Sequence, residues 1–412
     1  MGRRRAATLL LHAILAGSGI LAFEGPAHGQ QDCLYVLNRL RATVDAFARP
    51  QLSLVASVGL DNCPLPQCMP TALAVDTARR RAYVARQDAG TVTALDMTGL
   101  AAPVTITVGG SPADVALTPD GSRLWVANLA DDTVSVIDTA SDAVVDTIAV
   151  GDGPRSLAIM PDLSRVFVAN ANDDSVSIIG VAAGAVIDTV PVGRGPAAVK
   201  LTPNGGRLYV SNSKDATVSV VELAGLEVRT VAVGRGPRAI AFLPSGGTGF
   251  VTNSLDNTLS PIDTTTETAG TPIPVGLSPI DVVIAADGFT GYIANLTDNT
   301  LSILDVTNAS VTTRPDQFSP FDLALGSCPL LPTPTATFTA TPLPSVTATP
   351  GLGCAGDCNG DGMVPVNELI TGVNIALGNA AVDACPAFDR DGNGQVAVNE
   401  LIAAVNAALS GC

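Results

Sequence analysis

A proline recurs along the chain at Pro70, Pro112, Pro154, Pro196, Pro237, Pro279 and Pro320, at intervals of 42, 42, 42, 41, 42 and 41 residues. So fixed a period means one supersecondary unit copied in series, and this length suits four short strands. In the second copy, apolar runs with a period of two cover residues 113–117, 124–127, 133–137 and 143–150. Turn residues such as Pro119-Asp120-Gly121 and Asp131-Asp132 separate them. Each copy is expected to form one antiparallel four-stranded blade.

Six complete units run from Pro70 to about Ser319, leaving residues 320–326 as a lone first strand. The missing strands lie at the other end of the chain, where residues 34–38, 42–47 and 53–59 match the second, third and fourth strands of a unit. The reading is an all-β, seven-bladed propeller over residues 30–328 whose last blade is shared between the two ends. Aligning that composite blade on a neighbour sets Cys33 and Cys328 across one tight hairpin, within disulfide reach. Cys63 and Cys68 are then expected to pair locally.

The runs Leu-Tyr-Val-Ser-Asn at 208–212 and Phe-Val-Ala-Asn at 167–170, each followed by an Asp-rich turn and a Val-Ser-Val or Val-Ser-Ile strand, resemble the YVTN-type β-propeller repeats of bacterial and archaeal surface and periplasmic proteins. The resemblance covers about residues 34–326. It implies the propeller fold and no single activity, because such relatives range from surface-layer proteins to electron-transfer and lactonase-like enzymes.

Asn38, Asn128, Asn170, Asn212, Asn253 and Asn295, and Asp131, Asp173, Asp215, Asp256 and Asp298, recur blade after blade. Repetition of this kind marks residues that make turns by bonding local backbone. Function is sought where blades differ. Arg155, Arg194, Arg235 and Arg238 cluster in the turn before the innermost strand, a group suited to a carboxylate or phosphate or to pairing with nearby aspartates. Two residues after each proline stand Ala72, Asp114, Ser156, Ala198, Ala239, Asp281 and Asp322, a column expected to face the central channel. Its three carboxylates are read as solvated channel acids or as a cation site. Asn295-Leu-Thr297 and Asn308-Ala-Ser310 match a short glycosylation sequon.

The N-terminal segment 1–29 is basic over Met1–Arg5, apolar over 6–23 and small around Ala27-His28-Gly29, the pattern of an export signal. Its loss shifts the net charge from −16 to −18 and removes both histidines, His12 and His28. An acidic chain excludes nucleic acid as an expected partner. A mature chain without imidazole lacks the commonest general base, which points away from catalysis. No later segment is long and apolar enough to span a bilayer, so the mature form is not expected to cross one. Eight cysteines in an exported chain argue for disulfides.

Residues 329–353 are rich in Pro and Thr and form an extended spacer. Beyond it, Asp357, Asn359, Asp361, Met363 and Glu368, and again Asp389, Asp391, Asn393, Gln395 and Glu400, fit a twelve-residue calcium loop. Oxygens at positions 1, 3 and 5 and a carbonyl at 7 wrap the ion, a glycine at 6 permits the turn, and Glu at 12 closes the shell. Two calcium ions are therefore expected. Each loop is followed by an apolar helical stripe: Val366, Leu369, Ile370, Val373 and Leu377, then Val398, Leu401, Ile402, Val405 and Leu409. This loop–helix duplication over 354–412 resembles the dockerin module of extracellular assemblies, though Glu368 and Glu400 stand where dockerins usually carry Asp. Disulfides Cys354–Cys412 and Cys358–Cys385 are favoured among three pairings. Together these features predict a secreted, cell-surface or periplasmic scaffold that binds an extracellular protein or cell-surface component. The competing readings are a lactonase-like or lyase-like propeller enzyme and a surface-layer or adhesion component.

Overall fold

The computed structural model describes residues 32–60, 69–314 and 320–329, and in the C-terminal part residues 357, 358, 364, 368, 369, 371, 375, 385–389, 396 and 404. The chain divides into two compact units, Met1–Pro334 and Thr335–Cys412. The expected export segment, the Cys63–Cys68 pair, the Pro/Thr spacer and the Cys354–Cys412 pair lie outside the described residues.

Seven antiparallel sheets make up the first unit. In blade 2 the strands are Pro112–Leu117, Arg123–Asn128, Thr133–Asp138 and Ala143–Ala149, within a residue or two of the sequence reading. The pleat sends alternate residues of the second strand to opposite faces. Leu124 and Val126 pack toward blade 1, while Trp125 and Ala127 pack toward blade 3. Strands buried on both faces therefore read as nearly continuous apolar runs. Seven hydrophobic clusters result, one at each blade interface, so the core is a ring.

The composite blade closes as the repeat arithmetic requires. Pro320–Ser327 pairs with Asp32–Asn38, which continues into Thr43–Ala48 and Ser53–Gly59. Cys33 and Cys328 form the expected disulfide with their Cα atoms 4.8 Å apart. Across the 6/7 interface Arg49 donates to the Tyr292 hydroxyl at 3.0 Å and to Asp287 at 2.8 Å.

Blade 5 departs from the pattern. Its fourth strand is broken into Thr268–Ala269 and Ile273–Pro274, both paired with Thr258–Asp263. Pro261 lies in that central strand and has no N–H for the ladder; its carbonyl instead accepts from Gly270 N.

In the second unit Cys358 and Cys385 are disulfide-bonded. Ile375, Phe388, Val396 and Ala404 are buried together with Cys385, and Glu368, Leu369, Thr371, Ile375 and Ala404 have helical backbone. Leu369, a stripe position, packs against this cluster, whereas Ile375 and Ala404 lie off the expected stripes. Val364 and Val396, each seven residues after the first Asp of its loop, are buried too and were not part of the expected stripes.

Candidate functional site

Every innermost strand of blades 1 to 6 begins at a proline and slips register directly after it. In blade 3, Pro154 pairs with Asn170 and Ser156 with Ala169, so Arg155 is the extra residue of a β-bulge. Arg238 holds the same place in blade 5. A bulge re-aims the side chain it carries. Here the residues after the prolines, among them Thr71, Arg155, Arg238, Ile280 and Phe321, line one mouth of the central channel, a cavity of about 370 Å³.

Of the four arginines singled out in the sequence, the structure brings two together and separates two. Arg194 Nε lies 2.6 Å from Asp215 and Arg235 Nε 2.7 Å from Asp256, exposed pairs on the rim. Arg155 and Arg238 enter the mouth with no carboxylate in ion-pair range among the described residues. Channel walls replace much of their bulk water, which lowers the pKa of both, and Arg238 also feels the charge of Arg155. Arg39, Gln87 and Phe321 complete the mouth, and the Arg39 guanidinium sits 4.9 Å from the centroid of the Phe321 ring. These three were missed. The available signal was that Arg39 and Gln87 directly follow Asn38 and Arg86, the ends of second strands.

The next column does face the channel, as expected: Ala72, Asp114, Ser156, Ala198, Ala239, Asp281 and Asp322 line it below the mouth. Its carboxylates are not solvated acids, and this corrects the sequence reading. Asp114 accepts from Leu157 N at 2.8 Å, Asp281 from Leu323 N at 2.8 Å and Asp322 from Leu73 N at 2.6 Å. Each fastens its blade to the next. Burial in the narrow lumen raises the Asp114 pKa to about 6, against the pull of the Leu157 amide, Ser156, Val115 and Lys200. Burial likewise raises Asp281 and, reinforced by the negative charges of Asp281 and Asp114, lifts Asp322 well above the carboxylate range. Lys200 lines the far end of the channel, a second cavity of about 420 Å³ that shares the aspartate ring.

The recurrent columns are structural. Asn170 is fully buried and its Nδ2 donates to Ser175 and Ser177 at 3.0 and 2.9 Å, and Asn128, Asn212, Asn253 and Asn295 repeat the arrangement. These bonds tie two strands together rather than closing a local turn. Burial of Asn295 also removes it as a glycan acceptor, while Asn308 is exposed. Asp131, Asp173, Asp215, Asp256 and Asp298 each accept the backbone N–H of the residue 21 positions earlier, at 2.6 to 2.8 Å.

Among the calcium-loop residues, Asp357, Glu368 and Asp389 are described; Asn359, Asp361, Met363, Asp391, Asn393, Gln395 and Glu400 lie outside the described residues. Glu368 is 5% exposed, and its buried Oε2 has no hydrogen-bond partner among the described residues. A cation at this loop position would give that oxygen a partner.

Residues 65–244 match the model of a family described as YNCE-like β-propeller. No curated protein matches the chain. Three solved structures share the fold. Hydrazine synthase of Kuenenia stuttgartiensis is 20% identical, with 69% of this chain and 93% of that one covered at a TM-score of 0.57. A functionally unknown protein of Desulfotomaculum acetoxidans is 14% identical over 72% and 98%, at 0.60. A Bacteroides uniformis protein with a provisional 6-phosphogluconolactonase designation is 16% identical over 72% and 100%, at 0.59. At these identities the likeness is one of fold.

Proposed function

We propose that this chain is an exported, non-catalytic binding protein whose propeller holds an anionic ligand at the channel mouth between Arg155 and Arg238. The observation that carries the reading is the state of those two side chains. In a chain with 38 acidic and 22 basic residues, both are lifted on bulges into the channel mouth, Arg155 exposed and Arg238 half-buried, without a carboxylate partner among the described residues. Guanidinium groups left so are ready for charge-assisted hydrogen bonds to an anion. A C-terminal module with two calcium ions serves as a stabilising or docking element toward an extracellular partner. The buried Glu368 carboxylate supports that assignment, and the Cys33–Cys328 and Cys358–Cys385 disulfides agree with an oxidising compartment. Among the described residues no helix is long and apolar enough to cross a membrane.

Calorimetric titration with small anions tests the site. Each lost charge-assisted bond is worth about 1.5–3 kcal/mol, so R155Q/R238Q is expected to weaken binding at least about tenfold. Binding that is unchanged in the double variant overturns the reading. A catalytic alternative draws support from Asp114, whose pKa near 6 suits a general acid or base. Hydrolysis of δ-gluconolactone by the native protein, lost in D114N, would favour the enzyme; no acceleration over background favours the binding protein. Its hydrogen bond to Leu157 already gives Asp114 a structural use.

A further inference from the structure

The channel mouth is divided by chemistry around its circumference. Two of its three arginines, Arg155 and Arg238, come from blades 3 and 5 and have no carboxylate partner among the described residues. Blades 6 and 7 supply Ile280, Leu296 and Phe321, none of them fully covered by protein. Arg39 lies over the Phe321 ring, so its charge borders the apolar side. In the same column Ala197 of blade 4 stands between the two arginines and Ala113 of blade 2 between Arg155 and the far side of the ring, and both leave the lumen open. We propose that the ligand is an amphiphilic monoanion, a carboxylate head held by Arg155 and Arg238 with a short hydrocarbon or aromatic body against Ile280, Leu296 and Phe321. This rests on the anion-binding reading above and names its ligand class.

Two features favour a carboxylate over a phosphate. The floor of the cavity is the ring of Asp114, Asp281 and Asp322, where any ionised carboxylate repels an anion and repels a dianion twice as strongly. A sugar phosphate would also set hydroxyl groups against the apolar arc, where Ile280, Leu296 and Phe321 offer no side-chain hydrogen bond to replace those lost to water. A cavity of about 370 Å³ suits one small molecule.

The test is calorimetric titration of the full-length protein with acetate, hexanoate and inorganic phosphate at pH 7. Each methylene buried adds about fourfold in affinity, so hexanoate is expected to bind at least about tenfold tighter than acetate. Phe321→Ser is expected to bring the hexanoate-to-acetate affinity ratio down toward one; that ratio in the native protein needs no variant. If hexanoate binds no tighter than acetate, or phosphate binds tightest of the three, the amphiphile inference falls, while sensitivity of that binding to R155Q/R238Q keeps the anion site. If none of the three binds, or binding ignores R155Q/R238Q, both fall.

Discussion

Each buried asparagine dictates the residue across from it. A Cβ placed on Gly109, Gly151, Gly193, Gly234 or Gly276 would come within 2.4 to 2.6 Å of the amide of Asn128, Asn170, Asn212, Asn253 or Asn295, closer than atoms can pack. The glycine three residues before the anchoring proline of blades 2 to 6 is thus required for close approach. Gly193→Ala is expected to cost about 1–3 kcal/mol as an overpacking change. Combining it with Asn212→Ala is expected to cost less than the sum of the two, because removing the amide relieves the clash. Urea unfolding of the four proteins of this cycle checks it, and strict additivity would sink the account. Asp114 makes a pH prediction. Its native pKa of about 6 lies above the ordinary 3.8, so the folded state binds more protons between these values. The resulting stabilisation is complete below pH 3.8 and is lost as pH rises through about 6, amounting to roughly 2–3 kcal/mol at most. Asp281 and Asp322, also raised, act in the same direction. Asp120, lowered to about 2, acts in the opposite direction but changes charge below this window. The melting temperature of D114N is therefore expected to fall less between pH 4 and pH 7 than that of the native protein; parallel curves would refute it.

At the scale of elements, the fold was legible because the repeat is strict. The proline period set the blade count, and the unmatched strand at 320–326 had only one place to find its partners. Cys33 and Cys328 could be paired from that alignment alone. Legibility ended where a blade breaks its own pattern, as at Pro261 in blade 5, and where a bulge decides direction. Periodicity places Arg155 and Arg238 next to Arg194 and Arg235, but only the register slip after Pro154 and Pro237 turns the first pair inward. The fate of the channel aspartates was hidden for a related reason, since the amides they accept belong to the neighbouring blade. Closure through one composite blade makes the clasp a mechanical element. A crosslink spanning 295 residues restricts the unfolded chain by about 5–6 kcal/mol in the chain-entropy model, while measured losses run nearer 2–5 kcal/mol. Cys33→Ser/Cys328→Ser is expected to unfold at lower denaturant and to open at the blade where Asp32–Asn38 meets Pro320–Ser327. Hydrogen exchange of the Leu34 to Leu37 amides reads that opening; unchanged protection with unchanged stability would assign the clasp no role.

The two units draw stability from different sources, and this separates them experimentally. The propeller closes on itself through seven apolar interfaces and one disulfide. About sixty residues at the C-terminal end can bury only a small core, so covalent staples and, in the proposed reading, calcium supply what packing does not. Cys358–Cys385 is one such staple, and the proposed calcium ion at Glu368 would be another. In the proposed calcium-bound state Glu368 would close a coordination shell that the metal-free module lacks. Mass action makes the difference measurable, since calcium at a hundred times its dissociation constant stabilises the folded module by about 2.7 kcal/mol per independent site. Scanning calorimetry of the full chain is expected to show two transitions, of which chelation lowers only the smaller. Glu368→Gln/Glu400→Gln should reproduce that shift in saturating calcium and leave the propeller transition and anion binding at Arg155 and Arg238 unaltered. A single transition indifferent to chelator would remove calcium from the molecule and leave the burial of Glu368 to be met by a protein donor.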